Sequence, residues 1–235
     1  MLNLIRLEFK KFNLINNVKG VILADCILLG ILIMLSILTR IDGEILFESA
    51  TEQIIFIDLL VRDIFIIFSS VILAKLTVGE YKNRTMQLMF MYPINRKKIL
   101  IAKLLIVYMF AVLAILSGDI FLIGGIKLID NFIDVVPNTL TLQAIIEQVP
   151  MLCVSMIMSG FLAIMPLYFG MKKKSTSHTI IASVVIVALM SSSFGGSITD
   201  SYYLVRCIAL GGIAIISIVI TMGNALNNID SIDIE

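Results

Sequence analysis

The chain has 235 residues, of which 59% are hydrophobic and 15% charged, a mean hydropathy of +1.04, and a formal net charge of +1. A soluble domain is nearer half apolar and a quarter charged, so this composition specifies an integral membrane protein. The near-zero net charge leaves no concentrated basic face, which excludes nucleic acid as a partner.

In chain order, residues 2–17 come first. Leu2, Ile5, Phe9, Phe12 and Ile15 form one helical stripe, and Asn3, Arg6, Lys10, Asn13 and Asn17 the opposite one. The pattern predicts a helix lying in the membrane interface with its cations near anionic headgroups, or packed against the bundle. Crossing ~30 Å of hydrocarbon takes about 20 residues. Six apolar runs approach that length: residues 18–38, 53–76, 99–123, 149–170, 179–194 and 202–222. The fold expected is therefore all-α, one transmembrane domain over residues 1–235 with six transmembrane helices. The first run is long enough to be a full span and lacks a following small-residue cleavage site, so it does not read as a cleavable signal.

Charge sets the topology. Arg6, Lys10, Lys11, Lys19 and Lys75, a dense group at Lys82, Arg84, Arg96, Lys97, Lys98 and Lys103, and the run Lys172, Lys173 and Lys174 all fall on one side of this layout. The other connections carry Asp42, Glu44, Glu48, Glu52, Asp130, Asp134, Glu147 and Asp200. Positive residues accumulate inside, so both termini are expected in the cytoplasm of a cell whose plasma membrane holds the chain. The abundance of Ile, Lys and Asn fits an AT-rich bacterial genome. Residues 138–148 read as a short external helix.

Charges also occur within the spans. Asp58, Arg62 and Asp63 lie in the outer half of the second, Asp119 near the outer end of the third, Arg206 in the sixth, and Asp25 in the inner half of the first. Asp58 and Arg62 are four apart and share a helix face. A charge at the bilayer centre costs at least ~2.5–3.5 kcal/mol on insertion scales, so these groups must face protein or a wet cavity. Two readings follow: a structural tie near the external end, or a polar ring around an exit path. Asp25 has Lys19 or Lys75 as expected partners. Pro166 should kink the inner end of the fourth span. Cys26, Cys153 and Cys207 sit inside apolar runs and read as packing residues. His178 reads as a solvated end residue.

The longest polar interval between strongly apolar runs is residues 79–98. Over residues 81–91 a short, imperfectly amphipathic helix is expected, with Thr85, Met86, Met89 and Phe90 on one side. Pro93 stops it and Asn95 is placed to cap the next helix. Glu80, Tyr81, Lys82, Asn83 and Thr85, then Tyr92, Pro93, Ile94, Asn95, Arg96 and Lys103, together resemble the first cytoplasmic loop of type-2 ABC exporter permeases. The resemblance implies that this stretch is the coupling element contacting a separate cytoplasmic ATPase, through Glu80, Tyr81, Arg84, Thr85, Met86, Met89, Phe90, Pro93 and Arg96. It further implies two ATPase copies and a homodimer, or a heterodimer with a related permease, in the lipid bilayer. Within the family, the short length is most similar to bacitracin- and lantibiotic-immunity permeases and other exporters of amphipathic peptides.

No phosphate-binding loop, H-E-x-x-H or G-x-S-x-G pattern occurs, and a single His excludes multi-histidine metal sites. With these motifs missing, the resemblance implies a non-catalytic transport subunit without a cofactor, ATP hydrolysis belonging to a separate chain. The alternatives are an ion-coupled secondary transporter, using the intramembrane acids, and an intramembrane enzyme.

Overall fold

A computed structural model describes residues 14–42, 49–78, 96–133, 142–173, 175–191 and 200–231. These residues are helical throughout, apart from short turns, and contain no strand. The helices are α1 (Leu14–Asp42), α2 (Ala50–Leu73) continued by a π-helical turn (Ala74–Val78), α3 (Arg96–Ile133), α4 (Leu142–Leu162), α5 (Leu167–Lys173), α6 (Thr176–Ser191) and α7 (Asp200–Ser231). Among the described residues four stretches are long and apolar enough to cross a membrane: 17–38, 99–129, 142–173 and 203–221. Over those residues the chain is thus all-helical, with membrane-spanning character. Of the other two runs, α2 carries Asp58, Arg62 and Asp63 in its middle, and α6 is only 16 residues long. The interfacial helix expected over residues 2–17 and the coupling stretch 79–95 fall almost wholly outside the described residues.

The second helix is the centre. It packs against α1, α3, α4 and α6, and its π turn meets α3, α5 and α6. Paired contacts give the relative directions. Leu76 meets Lys103, Phe68 stacks on Phe110 with ring centroids 5.9 Å apart, and Val61 abuts Gly118, so α2 and α3 are antiparallel. Asp63 meets Ser191 and Ser70 meets Ser183, so α2 and α6 are antiparallel too. Ser155 faces Tyr203, and Met158 faces Gly211 further along, so α4 and α7 run parallel. The core along α2 includes Ile54, Ile57, Val61, Phe65 and Leu73, all inaccessible to solvent. The outward faces remain apolar. On α1, Ile22, Leu23, Ile31 and Met34 are exposed, as are Ile208, Ile216 and Val219 on α7. Such faces suit lipid rather than water.

Several boundaries differ from those the hydropathy predicts, each for a local reason. The second helix starts at Ala50, not residue 53, because Ser49 caps it: its Oγ accepts from the Glu52 N–H at 3.3 Å, in a Ser-x-x-Glu arrangement. The third runs 38 residues, well past Gly124 and Gly125, and at ~1.5 Å per residue is far longer than the hydrocarbon thickness. Those glycines do not end it. A Cβ at Gly125 would stand 2.3 Å from Leu29 Cδ1, so that glycine lets α1 lie close against α3. The fourth begins at Leu142 and carries Pro150 within it, taking in residues 142–148 of the expected short external helix. Near Pro166, which has no N–H to donate, it gives way at residues 163–166. There Ile164 and Met165 bond back three residues, to Phe161 and Leu162 at 3.1 Å, before α5 resumes the helix. The last helix continues to Ser231, beyond the expected end at 222.

A buried charged cluster around the second helix

Asp58 and Arg62 are both buried, at 0% and 2% exposure. One turn apart on α2, they meet Tyr203 and Cys207, one turn apart on α7. Arg62 Nη1 donates to Tyr203 Oη at 3.2 Å and lies 3.4 Å from Cys207 Sγ, and the guanidinium stands over the Tyr203 ring, 5.5 Å from its centroid. Tyr203 Oη in turn donates to Asp58 Oδ2. Ser155 of α4 donates to the same carboxylate oxygen at 2.7 Å and lies 3.2 Å from the tyrosine hydroxyl. The two charges expected to pair across one turn of α2 are thus joined through Tyr203. The ion pair that Arg62 makes is with Asp63, at 3.9 Å, and Ser191 of α6 donates to Asp63 Oδ2 at 2.5 Å.

The arrangement compensates charges that a low-dielectric interior would otherwise reject. Removing an ion from water costs several kcal/mol even after relaxation, and only paired, hydrogen-bonded geometry returns it. The two carboxylates of α2 collect hydroxyl donors from α4, α6 and α7, and its guanidinium donates to the α7 tyrosine. The chemical consequence is mechanical coupling: four helices share one polar knot.

Asp119 of α3 and Asp25 of α1 extend it. They are 7% and 4% exposed. Asp119 lies within electrostatic reach of Asp58, Arg62 and Asp25. Asp25 Oδ1 would be 3.1 Å from a Cβ on Gly118, the residue preceding Asp119. This corrects the expected pairing of Asp25 with Lys19 or Lys75, both of which are exposed. Asp25, expected in the inner half of its span, thus stands level with Asp119, expected near the outer end of its own, so the two acids share one depth and the expected separation into opposite halves is corrected. Among the described residues Asp25 Oδ1, Asp58 Oδ1, Asp63 Oδ1 and Asp119 Oδ1 have no hydrogen-bond partner. Arg206 is half-buried and within reach of Asp63 only electrostatically. The seventh helix joins the cluster through Tyr203 and Cys207, which flank Arg206 in sequence. Among the described residues no group of three or more His, Cys, Asp or Glu side chains is placed to hold a metal ion. Cys26 and Cys153 are exposed on the outer faces and only Cys207 packs in the core, which corrects the reading of all three as packing residues.

At the other end of α2, Lys103 has no solvent exposure, and its Nζ donates to the Leu76 carbonyl in the π turn at 2.9 Å. The same turn is tied internally by Thr77 Oγ1, which donates to the Leu73 carbonyl at 2.5 Å. Glu80, Tyr81, Arg84, Thr85, Met86, Met89, Phe90 and Pro93 lie outside the described residues, and Arg96 opens α3 with its side chain likewise outside them.

Tyr203, Ser155 and Ser191 escape a reading that searches the spans for charges. Their signal is present nonetheless. Ser155 and Ser159, Thr179 and Ser183 recur at helical spacing in apolar runs, and all four are buried. Small hydroxyl residues at such spacing mark helix–helix contacts inside a bilayer, where they supply donors to a neighbour.

The uncharacterized protein YcbO of Bacillus subtilis is 35% identical to this chain over 213 residues, covering 90% of the chain and 93% of that protein. The chain belongs to the same family as YcbO. The match covers nearly the full length of both proteins, so the kinship extends over the whole bundle rather than one segment. No protein-family model matches the chain, and no solved structure matches it.

Proposed function

We propose that the chain is the transmembrane permease subunit of an ATP-driven exporter of the type-2 ABC class. Its substrate is a hydrophobic or amphipathic molecule such as an antimicrobial or toxin-like peptide. The observation that carries the reading is the stretch from Glu80 to Lys103, with its Glu-Tyr-Lys-Asn opening, its apolar positions and its Tyr-Pro-Ile-Asn-Arg turn. In support, the stretch joins a π-helical end of the central α2 to the start of the longest helix, α3. A push on it would therefore bear on the helix that carries the charged cluster.

In this reading six spans cross the bacterial plasma membrane, with an interfacial helix before the first and both termini cytoplasmic. Two copies, or one copy and a related permease, form the pathway and recruit two ATPase subunits. Nucleotide-driven closure of the ATPases pushes residues 81–91 and switches the spans between inward- and outward-open arrangements. ATP hydrolysis belongs to the separate ATPase chain.

The test is Phe90→Asp. Met86, Met89 and Phe90 form an apolar face that the interface or a partner must cover. A central apolar anchor commonly contributes about 2 kcal/mol or more to binding. The expected outcome is a chain that inserts and dimerises normally but no longer co-purifies with its ATPase, with Arg84→Ala at the rim doing less. Full retention of binding and of stimulated ATP turnover by Phe90→Asp would sink the assignment.

An ion-coupled secondary transporter is the second reading, favoured by the four carboxylates Asp25, Asp58, Asp63 and Asp119, each with one buried oxygen that accepts no hydrogen bond among the described residues. It requires solute or proton movement in ATP-free liposomes under an imposed ion gradient, where the leading reading requires none.

A further inference from the structure

The lysine at position 103 stands apart from the other cations of its region. Eight residues into α3, its flexible stem is long enough to carry the ammonium back along the helix toward the polar end, as lysines near span ends commonly do. Instead the side chain is fully buried and Nζ donates to the carbonyl of Leu76. That carbonyl belongs to the π turn Ala74–Val78, the last described turn before residue 79. Single π turns of this kind are rare within α-helices and concentrate at functional sites. Burying an ammonium is costly unless its geometry is specific, so a fully buried lysine whose Nζ reaches a main-chain carbonyl of a neighbouring helix holds those two helices in one relation.

We propose that Lys103 is the positioning residue of the coupling segment. Its bond to Leu76 locks the π turn against α3, so that displacement arriving at the end of α2 is passed into α3. The inference rests on the coupling reading given above for residues 79–95.

The experiment compares the native chain, Lys103→Met and Lys103→Arg, each in full-length form in a background without the three native cysteines. Spin labels at Lys75→Cys and Leu105→Cys, both exposed positions flanking the tie, report the distance between the π turn and α3. The second readout is ATP turnover of the co-purified ATPase in liposomes. With Lys103→Met the distance distribution should broaden and the permease-stimulated increment of turnover should fall about tenfold, the scale of one lost hydrogen bond to a charged group. Co-purification should hold, and the chain should still insert and melt as one cooperative unit near the native midpoint. Lys103→Arg, which keeps a donor of similar reach, should restore both readouts in part.

An unchanged distance distribution in Lys103→Met overturns the tie whatever the ATPase does. A broadened distribution with unchanged turnover overturns the transmission. A Lys103→Met chain that fails to insert or melts early assigns the residue to the fold and overturns the inference as well. A native chain that stimulates no ATPase defeats the coupling reading itself, and the distance arm, which needs no partner, tells that failure from the failure of this one.

Discussion

Tyr203→Phe removes one oxygen from the centre of the charged cluster and leaves the ring over Arg62 in place. In the native chain that hydroxyl accepts from Arg62 Nη1 at 3.2 Å and donates to Asp58 Oδ2. Its loss leaves Arg62 with Cys207 and Asp63, and leaves Asp58 Oδ2 with Ser155 as its remaining donor. In soluble proteins a hydrogen bond to a charged group contributes about 1.5–3 kcal/mol. Inside bilayers, polar contacts measured by double-mutant cycles average ~0.6 kcal/mol, because the separated helices also find partners. Two charged bonds lost together, with the packing kept, place the cost near 2 kcal/mol, a factor of about thirty in the folding equilibrium. Reversible unfolding of the chain in mixed detergent micelles reads this directly. Ser155→Ala should cost less alone, since Tyr203 still serves Asp58. The double variant strips both hydroxyl donors from one buried carboxylate oxygen, so it should cost more than the two singles together, by at least ~0.5 kcal/mol of coupling. A Tyr203→Phe variant within ~0.5 kcal/mol of the native chain, like an ordinary surface change, would refute the cluster as a structural knot. Additive behaviour in the cycle would refute the shared acceptor.

Other expectations follow from the same geometry. Arg62→Ala should destabilise by about 3–5 kcal/mol and more than Asp58→Ala, because it strands several buried carboxylates without their cation; equal melting of both variants with loss of transport would move the cluster from structure to pathway. Gly118→Ala places a Cβ 2.8 Å from Val61 and 2.9 Å from Phe65 and should cost ~1–3 kcal/mol by overpacking, whereas Gly212→Ala, with no atom within 4 Å, should be neutral or gain up to ~1 kcal/mol from helix propensity. Thermal midpoints of the two variants decide this, and a Gly118→Ala chain as stable as the native one would contradict the close approach of α2 to α3. For topology, single cysteines at Ser175 and Asn83 should resist a membrane-impermeant thiol reagent in intact cells while those at Glu48 and Asn138 react. Labelling at Ser175 from outside would break the six-span layout.

Hydropathy by itself determined the class of molecule and where most of its long helices run, because apolar length is a local property that each segment carries alone. It also required that Asp58 and Arg62 be covered by protein, since an uncovered charge in hydrocarbon is too costly wherever it sits. Helical periodicity tells which residues share a face, but not what the face meets or at what height its neighbour stands. Those choices were made by packing. Leu29 filling the space left by Gly125 sets α1 against α3 and brings Asp25 to Gly118 instead of to the lysines expected beside it. A tyrosine one turn from a cysteine on α7 comes between Asp58 and Arg62, because α2 is surrounded and its charges must draw donors from whichever helices surround it. Lys103, which the loop pattern marks only as a cation opening a span, becomes a buried donor to the π turn that continues α2, which no periodicity announces. What was decided only in three dimensions was partner and register, for the physical reason that a bilayer fixes how deep a helix lies but leaves its rotation and its neighbours to the fit of side chains.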